Sequence, residues 1–194
     1  MRLYSDIAMQ LILASASPRR KEILGRILPQ FDVIPARGEE RAKEGLSPEQ
    51  LVITLARQKA EEVFSGHPNA AVLGADTIVW FDGHVLGKPK DAQDAKNTLR
   101  LLSGKMHEVY TGYCLCMKEG ERVGAVRTGV RFHELTQAFI DEYVASGSPM
   151  DKAGSYGIQD DARLVAGYEG SYTNIVGLPE EETRELLKAV GIIK

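Results

Sequence analysis

The spacing of apolar residues changes period several times along this chain, and each change marks an element. Leu11-Ile12-Leu13-Ala14 is a continuous apolar run that predicts a short buried strand. Helical spacing follows at once. Ile23, Leu24, Ile27 and Leu28 form one stripe, with Ser17 placed as N-cap and Pro18 at the first helical position. Phe31-Asp32-Val33-Ile34 predicts a second strand, which ends at Pro35 and a polar loop carrying Gly38, Glu39 and Glu40. Ser47-Pro48-Glu49-Gln50 is a capping box and opens a helix through residue 64, whose apolar face holds Leu51, Val52, Leu55, Ala56, Ala60 and Val63.

Strand-like stretches then dominate. Residues 71–73 and 78–81 predict two strands separated by Gly74-Ala75-Asp76-Thr77, and Asp82-Gly83 turns the chain so that His84-Val85-Leu86 returns alongside, ending at Gly87-Lys88-Pro89. Asp91 caps a helix to Leu102 with Ala95, Thr98, Leu99 and Leu102 on one face. Residues 109–117 and 122–132, rich in Val, Tyr and Thr, predict a long hairpin around Glu119-Gly120. Thr136 caps a helix bearing Phe139, Ile140, Tyr143 and Val144, which stops at Gly147; residues 151–179 then carry Gly154, Gly157, Gly167, Gly170 and Gly177, so the backbone there can approach a ligand. Strands mixed with amphipathic helices make this an α/β chain.

Composition narrows the picture. A length of 194 residues suits one domain with a sizeable core, or two small lobes. A formal charge of -3 with 26% charged residues gives no pull toward nucleic acid or a membrane surface. The two cysteines, Cys114 and Cys116, point to one face of one strand and read as apolar fillers in a reducing compartment, because an isolated C-x-C pair lacks a metal-ligand partner set. Asp6 and Gln10 interrupt the first apolar run, so no signal peptide is expected and the protein is placed in the cytoplasm. His84 sits exposed beside its turn. His107 and His133 lie at the outer ends of the hairpin without a second ligand at zinc spacing.

Several polar positions stand out against this pattern. The turn from Ser15 into the Ser17-Pro18-Arg19-Arg20 helix start offers free backbone N–H groups, a partial positive charge and two arginines, which together suit a phosphate chain; alone it also reads as an ordinary capped helix with solvated arginines. Lys59 lies on or beside an apolar stripe, where it either snorkels to water or reaches a phosphate. Asp76 interrupts two hydrophobic runs. A carboxylate there needs a partner, and a rigid strand end is where a general base or a metal ligand is held. Lys88 comes within reach of it. Neither G-x-x-x-x-G-K-[ST] nor G-x-G-x-x-G occurs, which argues against a P-loop NTPase or a Rossmann dinucleotide enzyme.

Five segments in order, Ser15 to Arg20, Gly74 to Thr77, Gly87 to Pro89, Tyr156 to Gln159 and Asn174 to Pro179, resemble the Maf family of nucleoside triphosphate pyrophosphatases over about residues 11–191. The resemblance implies a single Maf-like domain spanning residues 1–194, with two lobes around a central cleft. It also implies a long, bent mixed sheet flanked by helices, similar to inosine triphosphate pyrophosphatases. The implied reaction is hydrolysis of a nucleoside triphosphate to the monophosphate and pyrophosphate with a divalent metal, Mg²⁺ or Mn²⁺. On this chain the match makes Asp76 the proton acceptor and sets Ser15, Arg19, Arg20, Lys59 and Lys88 around the triphosphate. Glu40, rather than Glu39, joins Asp76 on the metal. Arg19, Thr77 and Gln159 look like the branch acting on dTTP and UTP, not the branch preferring 7-methyl-GTP, and no role is carried to Tyr172 or Thr173. The Gln159 amide could meet the O4 and N3–H of uracil or thymine. The alternative function is a non-catalytic nucleotide-binding regulator of cell division, and the oligomeric state stands open between monomer and homodimer.

Overall fold

The computed structural model describes residues 9–42 and 44–194; the N-terminal run containing Asp6 lies outside them. Strand β1 (Leu11–Leu13) leads into helix α1 (Pro18–Ile27), then β2 (Asp32–Val33), helix α2 (Pro48–Gly66), β3 (Ala71–Phe81), β4 (His84–Leu86) and α3 (Ala92–Leu102). The hairpin β5 (Met106–Met117) and β6 (Gly120–Phe132) follows, then α4 (Gln137–Ala145), β7 (Val165–Glu169), α5 (Tyr172–Val176) and α6 (Glu180–Ala189). Among the described residues the strands form one mixed sheet of seven, ordered β2-β1-β3-β5-β6-β7, with β4 beside β3. No helix among these residues is long and apolar enough to cross a membrane.

Continuous apolarity in β1 follows from cover on both faces. Leu11 and Leu13 pack with Ile23, Leu24, Ile27 and Leu187 of α1 and α6, while Ile12 packs with Ala56, Ala60 and Val63 of α2. A third cluster holds Val79, Val109 and Val130 of the sheet against Leu99, Leu102, Ile140 and Val144 of α3 and α4. Both helix starts form as their sequences require. Ser17 caps α1, and the Ser47 and Gln50 side chains exchange bonds with each other's backbone at the start of α2, at 3.2 and 3.0 Å.

Four expectations are corrected. Residues 71–81 are one unbroken strand and not two, because Gly74 to Thr77 stay in register with β5 from Cys114 to Thr111. The second strand shrinks to Asp32–Val33, held only by its parallel pairing to β1. The hairpin arms reach Met106 and Gly120, so the turn falls on Lys118-Glu119. His107 does not lie beyond the hairpin arm but inside β5. It is 2% exposed, packed edge-on against Phe132 and Tyr156, with its Nε2 2.7 Å from the Tyr156 hydroxyl, and burial pushes its pKa down to about 4.

One feature of the sheet makes a cleft. Along the edge of β3 away from β5, pairing to β1 ends at Leu73, and β4 joins that edge only from Val79. Between them Gly74 to Ile78 has no strand beside it among the described residues, and the α1 entry turn opens over the gap. On the α2 face, Gly74 and Gly112 let the helix backbone come down onto the sheet. A Cβ on Gly74 would stand 2.3 Å from the Ala56 carbonyl oxygen, and one on Gly112 would stand 2.4 Å from the Val52 carbonyl carbon. Gly112→Ala is expected to cost roughly 1–3 kcal/mol by overpacking. Gly25→Ala, in an open position of α1, is expected to stabilise by roughly 0.5–1 kcal/mol. Urea midpoints of the two variants check this, and an unchanged midpoint for Gly112→Ala would refute the close contact.

Candidate active site

The turn after β1 folds on its own side chains. Ser15 Oγ accepts the Ser17 N–H at 3.2 Å, and Ser17 Oγ accepts the Arg20 N–H at 3.4 Å. Arg20 is thereby aimed across the gap. Its Nε donates to the Gly177 carbonyl at 2.8 Å, one terminal nitrogen to Thr77 Oγ1 at 3.1 Å and the other to Ser15 Oγ at 3.4 Å. Desolvation draws the Arg20 guanidinium down from its ordinary pKa, offset in part by the nearby Asp76 carboxylate. Arg19 faces Asp151 at 3.5 Å.

Alternation along β3 sends Asp76 to the α2 face and Thr77 to the other. Asp76 is 8% exposed. The Lys59 ammonium stands 2.5 Å from its Oδ1 and 2.9 Å from Glu40 Oε1, so one cation bridges two carboxylates. Lys59 is therefore not a snorkelling residue; its side chain is 18% exposed and points into the cleft. Burial pushes the Asp76 carboxyl above the ordinary range, while Lys59 and Arg20 pull it back. On the other face Thr77 Oγ1 shares a 2.8 Å hydrogen bond with Thr111.

These side chains surround one cleft of about 510 Å³, within the range of small-molecule sites. Arg19, Arg20, Glu40, Lys59, Asp76, Thr77, Lys88 and Gln159 all line it. Lys88 and Gln159 stand exposed, and the partner of Asp76 is Lys59, not Lys88. Ser15 is buried one layer back, where it shapes the turn and receives Arg20. Glu39 instead pairs with Arg41. Of two further lining residues, Gly177 was legible only as a glycine of the Asn174 to Pro179 segment, and Lys152 had no reading from sequence. Gly177 supplies the carbonyl that fixes Arg20, and Lys152, with an 11% exposed side chain, is held by Asp151 at 2.8 Å and Asp160 at 3.4 Å. The adjacent acid and lysine at the head of the glycine-rich segment were the available signal.

The sequence profile of the Maf-like protein family matches residues 10–190. The chain belongs to the Maf family. Its relatives include a dTTP/UTP pyrophosphatase of Bacillus cytotoxicus, 51% identical over 87% of this chain and 88% of that one. A dTTP/UTP pyrophosphatase of Thermococcus gammatolerans is 49% identical over 88% and 91%, and one of Agathobacter rectalis 45% identical over 94% and 98%. Among solved structures, a HAM1 protein from Coxiella burnetii superposes with a TM-score of 0.55 at 13% identity, over 93% of this chain and 99% of that one. That likeness is of fold, and it agrees with the α/β sheet-and-helix architecture read for this Maf chain.

The raised Asp76 carboxyl makes a prediction about stability. The native state holds that proton more tightly than the unfolded chain does, so its contribution is fully present below the ordinary carboxyl range and is lost as pH rises through the native value. The unfolding free energy of the wild type minus that of Asp76→Asn is therefore expected to fall from acid toward neutral pH. Denaturant titrations across that window check it, and a pH-independent difference would refute it.

Proposed function

We propose that this cleft hydrolyses nucleoside triphosphates, dTTP and UTP foremost, to the nucleoside monophosphate and pyrophosphate. The observation that carries the reading is Asp76, a carboxylate kept 8% exposed at the gap in the sheet and ringed by cationic side chains. A binding module has no use for a desolvated acid beside phosphates, whereas a water-activating base needs one, which favours the enzyme over the non-catalytic regulator. The names of the relatives support the same substrates.

Attack of water on a triphosphate must overcome repulsion, so positioning and electrostatics carry the work. Asp76 takes the proton of the attacking water, and Lys59 holds that carboxylate in place. Arg19 and Lys88 on the lining are placed to take phosphate oxygens, beside the positive N-terminal end of α1, while Arg20 fixes the turn to Thr77 and Gly177. Asp76 and Glu40 also fit a divalent cation: they already converge on the single charge of Lys59, and Mg²⁺ or Mn²⁺ takes one or two carboxylates with phosphate oxygens and water completing the set. Such an ion would neutralise charge on the phosphates. The cleft lining draws on both ends of the chain, from Arg19 and Arg20 to Ile175 and Gly177, so we read residues 1–194 as one domain with two lobes.

Gln159 is exposed on the cleft lining and offers an acceptor and two donors to the base. Because an amide can turn end for end, it pairs with uracil and cytosine alike, and selectivity requires a neighbour in the Ser155 to Ile158 segment.

Pyrophosphate release from UTP, dTTP, CTP and GTP with Mg²⁺ tests the reading. UTP and dTTP are expected to lead, with CTP behind and purines far behind; absence of pyrophosphate from all four would overturn it. Asp76→Asn should fold, bind nucleotide and lose about 10²–10⁴-fold in turnover. Lys59→Met should also fold and lower kcat or raise KM; full activity with lowered thermal stability would reduce Lys59 to packing. Gln159→Ala should lower kcat/KM for UTP by roughly tenfold to a hundredfold, the worth of a bidentate base contact. Equal UTP activity in that variant would move base recognition elsewhere.

A further inference from the structure

Cys114 and Cys116 lie outside the cleft, on the α2 face of β5, and the hydrolysis described above uses neither. Their Sγ atoms are 3.7 Å apart. Across the hairpin, Glu121 of β6 stands opposite Cys116 in the strand register, and its Oε2 is 3.7 Å from Cys114 Sγ. All three donor atoms lie within 4.8 Å of one another. Two sulfurs on one tetrahedral zinc ion at about 2.3 Å stand about 3.8 Å apart, and a sulfur and a carboxylate oxygen about 3.5 Å apart. Two of the three separations, both from Cys114 Sγ, already match tetrahedral corners, and the third lies within 4.8 Å. We propose that Cys114, Cys116 and Glu121 form a binding site for one thiophilic tetrahedral cation, Zn²⁺, separate from the nucleotide cleft.

The surroundings suit that ion. Arg57 of α2 grips Glu121 through both carboxylate oxygens, with Nε at 3.1 and 3.0 Å and a terminal nitrogen at 2.8 Å from Oε1, leaving Oε2 turned toward Cys114. Guanidinium support of this kind orients a ligating carboxylate. Two thiolates and one carboxylate carry three negative charges, and Zn²⁺ with Arg57 supplies three positive ones. The thiols are buried beneath Ala56 and Ala60, whereas the Glu121 and Arg57 side chains are 40% and 36% exposed. Entry is thus from the Glu121 side, with the fourth position left to water. Each thiol gives its proton to solvent as its sulfur joins the ion, so binding releases two protons and involves no oxidant.

A disulfide fits less well. Residues two apart on a strand have Cα atoms about 6.7 Å apart, at the far limit for a bridge, and the sulfurs would have to close from 3.7 Å to bonding distance. The C-x-C pair looked partnerless in the sequence because its third donor arrives through hairpin register and not through spacing.

Cobalt(II) titrated into the reduced, chelator-treated full-length protein tests the proposal. The expected result is one equivalent bound, with thiolate-to-cobalt charge-transfer absorption, the intense visible bands of a tetrahedral site, and loss of both when Zn²⁺ is added. These are the only cysteines in the chain, so any such absorption reports them. Glu121→Gln should weaken binding about tenfold or more, Cys116→Ala should abolish the stoichiometric complex, and Asp76→Asn should leave the spectrum intact. Absence of the charge-transfer band in the wild type, or wild-type affinity in Cys116→Ala, would overturn it, and neither result bears on the nucleotide cleft.

Discussion

The ion pair between Lys59 and Asp76 is the constraint on which the cleft depends. A carboxylate 8% exposed on a strand is costly unless a counter-charge reaches it, and here that charge comes from a helix whose apolar face must at the same time cover the sheet. Both conditions are met only if α2 lies close to β3 and β5. Gly74, two residues before Asp76 on the same face, and Gly112, its partner in register, remove the Cβ atoms that would hold the helix off. Loss of Lys59 would leave Asp76 with only the more distant charge of Arg20, whereas loss of Asp76 would leave Lys59 still paired to Glu40. The same pair also converges Glu40 onto the site, so a loop with little packing of its own is drawn to the cleft by charge.

Completion of the site waits for the far end of the chain. Arg20 is fixed by the Gly177 carbonyl, 157 residues away in sequence. That carbonyl is placed by the α5 segment, whose buried Asn174 donates to the Val109 carbonyl at 3.1 Å and to Thr128 Oγ1 at 2.9 Å, while Thr111 donates back to the Asn174 carbonyl at 2.9 Å. Gly177 itself sits at φ +126, a conformation closed to ordinary side chains. The cationic turn near the N-terminus is thus held by strands β5 and β6 acting through a C-terminal motif, and it forms as a site only when those long-range contacts are in place.

What could be read from sequence was what local chemistry decides. The caps of α1, α2, α3 and α4 are at Ser17, Ser47, Asp91 and Thr136 as their side chains require. Eight of the expected cleft residues meet around one space, since each had stood out against a local pattern. The misreadings arise where distant packing overrides the pattern. Residues 71–81 looked like two strands because Gly74 and Asp76 break the apolar run, yet both face α2, one for closeness and one for its ion pair. The burial of His107 could not be read, because the ring that covers it, Tyr156, comes from a glycine-rich segment with no periodicity. β7 and α5 were missed in the same region and α6 just after it, and Lys152 had only an adjacent acid to mark it.

The loop that presents Gln159 shows how rigidity is obtained without regular structure. Gly154 and Ser155 are both left-handed, at φ +68 and +60, and for serine that conformation costs roughly 1–2 kcal/mol. Such a backbone persists only when its surroundings over-determine it. Here they do. Asp160 takes the Tyr143 hydroxyl at 2.7 Å and the Ser148 hydroxyl at 2.6 Å, the Gly157 N–H donates to Tyr143 at 3.2 Å, and Lys152 ties Asp160 to the carbonyl of Ser148 at 2.5 Å. Each of these bonds runs from the loop back to α4 or the turn that follows it, so the loop is pinned at both ends. With its side chain exposed on the cleft lining, Gln159 is then carried by a backbone that this network holds in place.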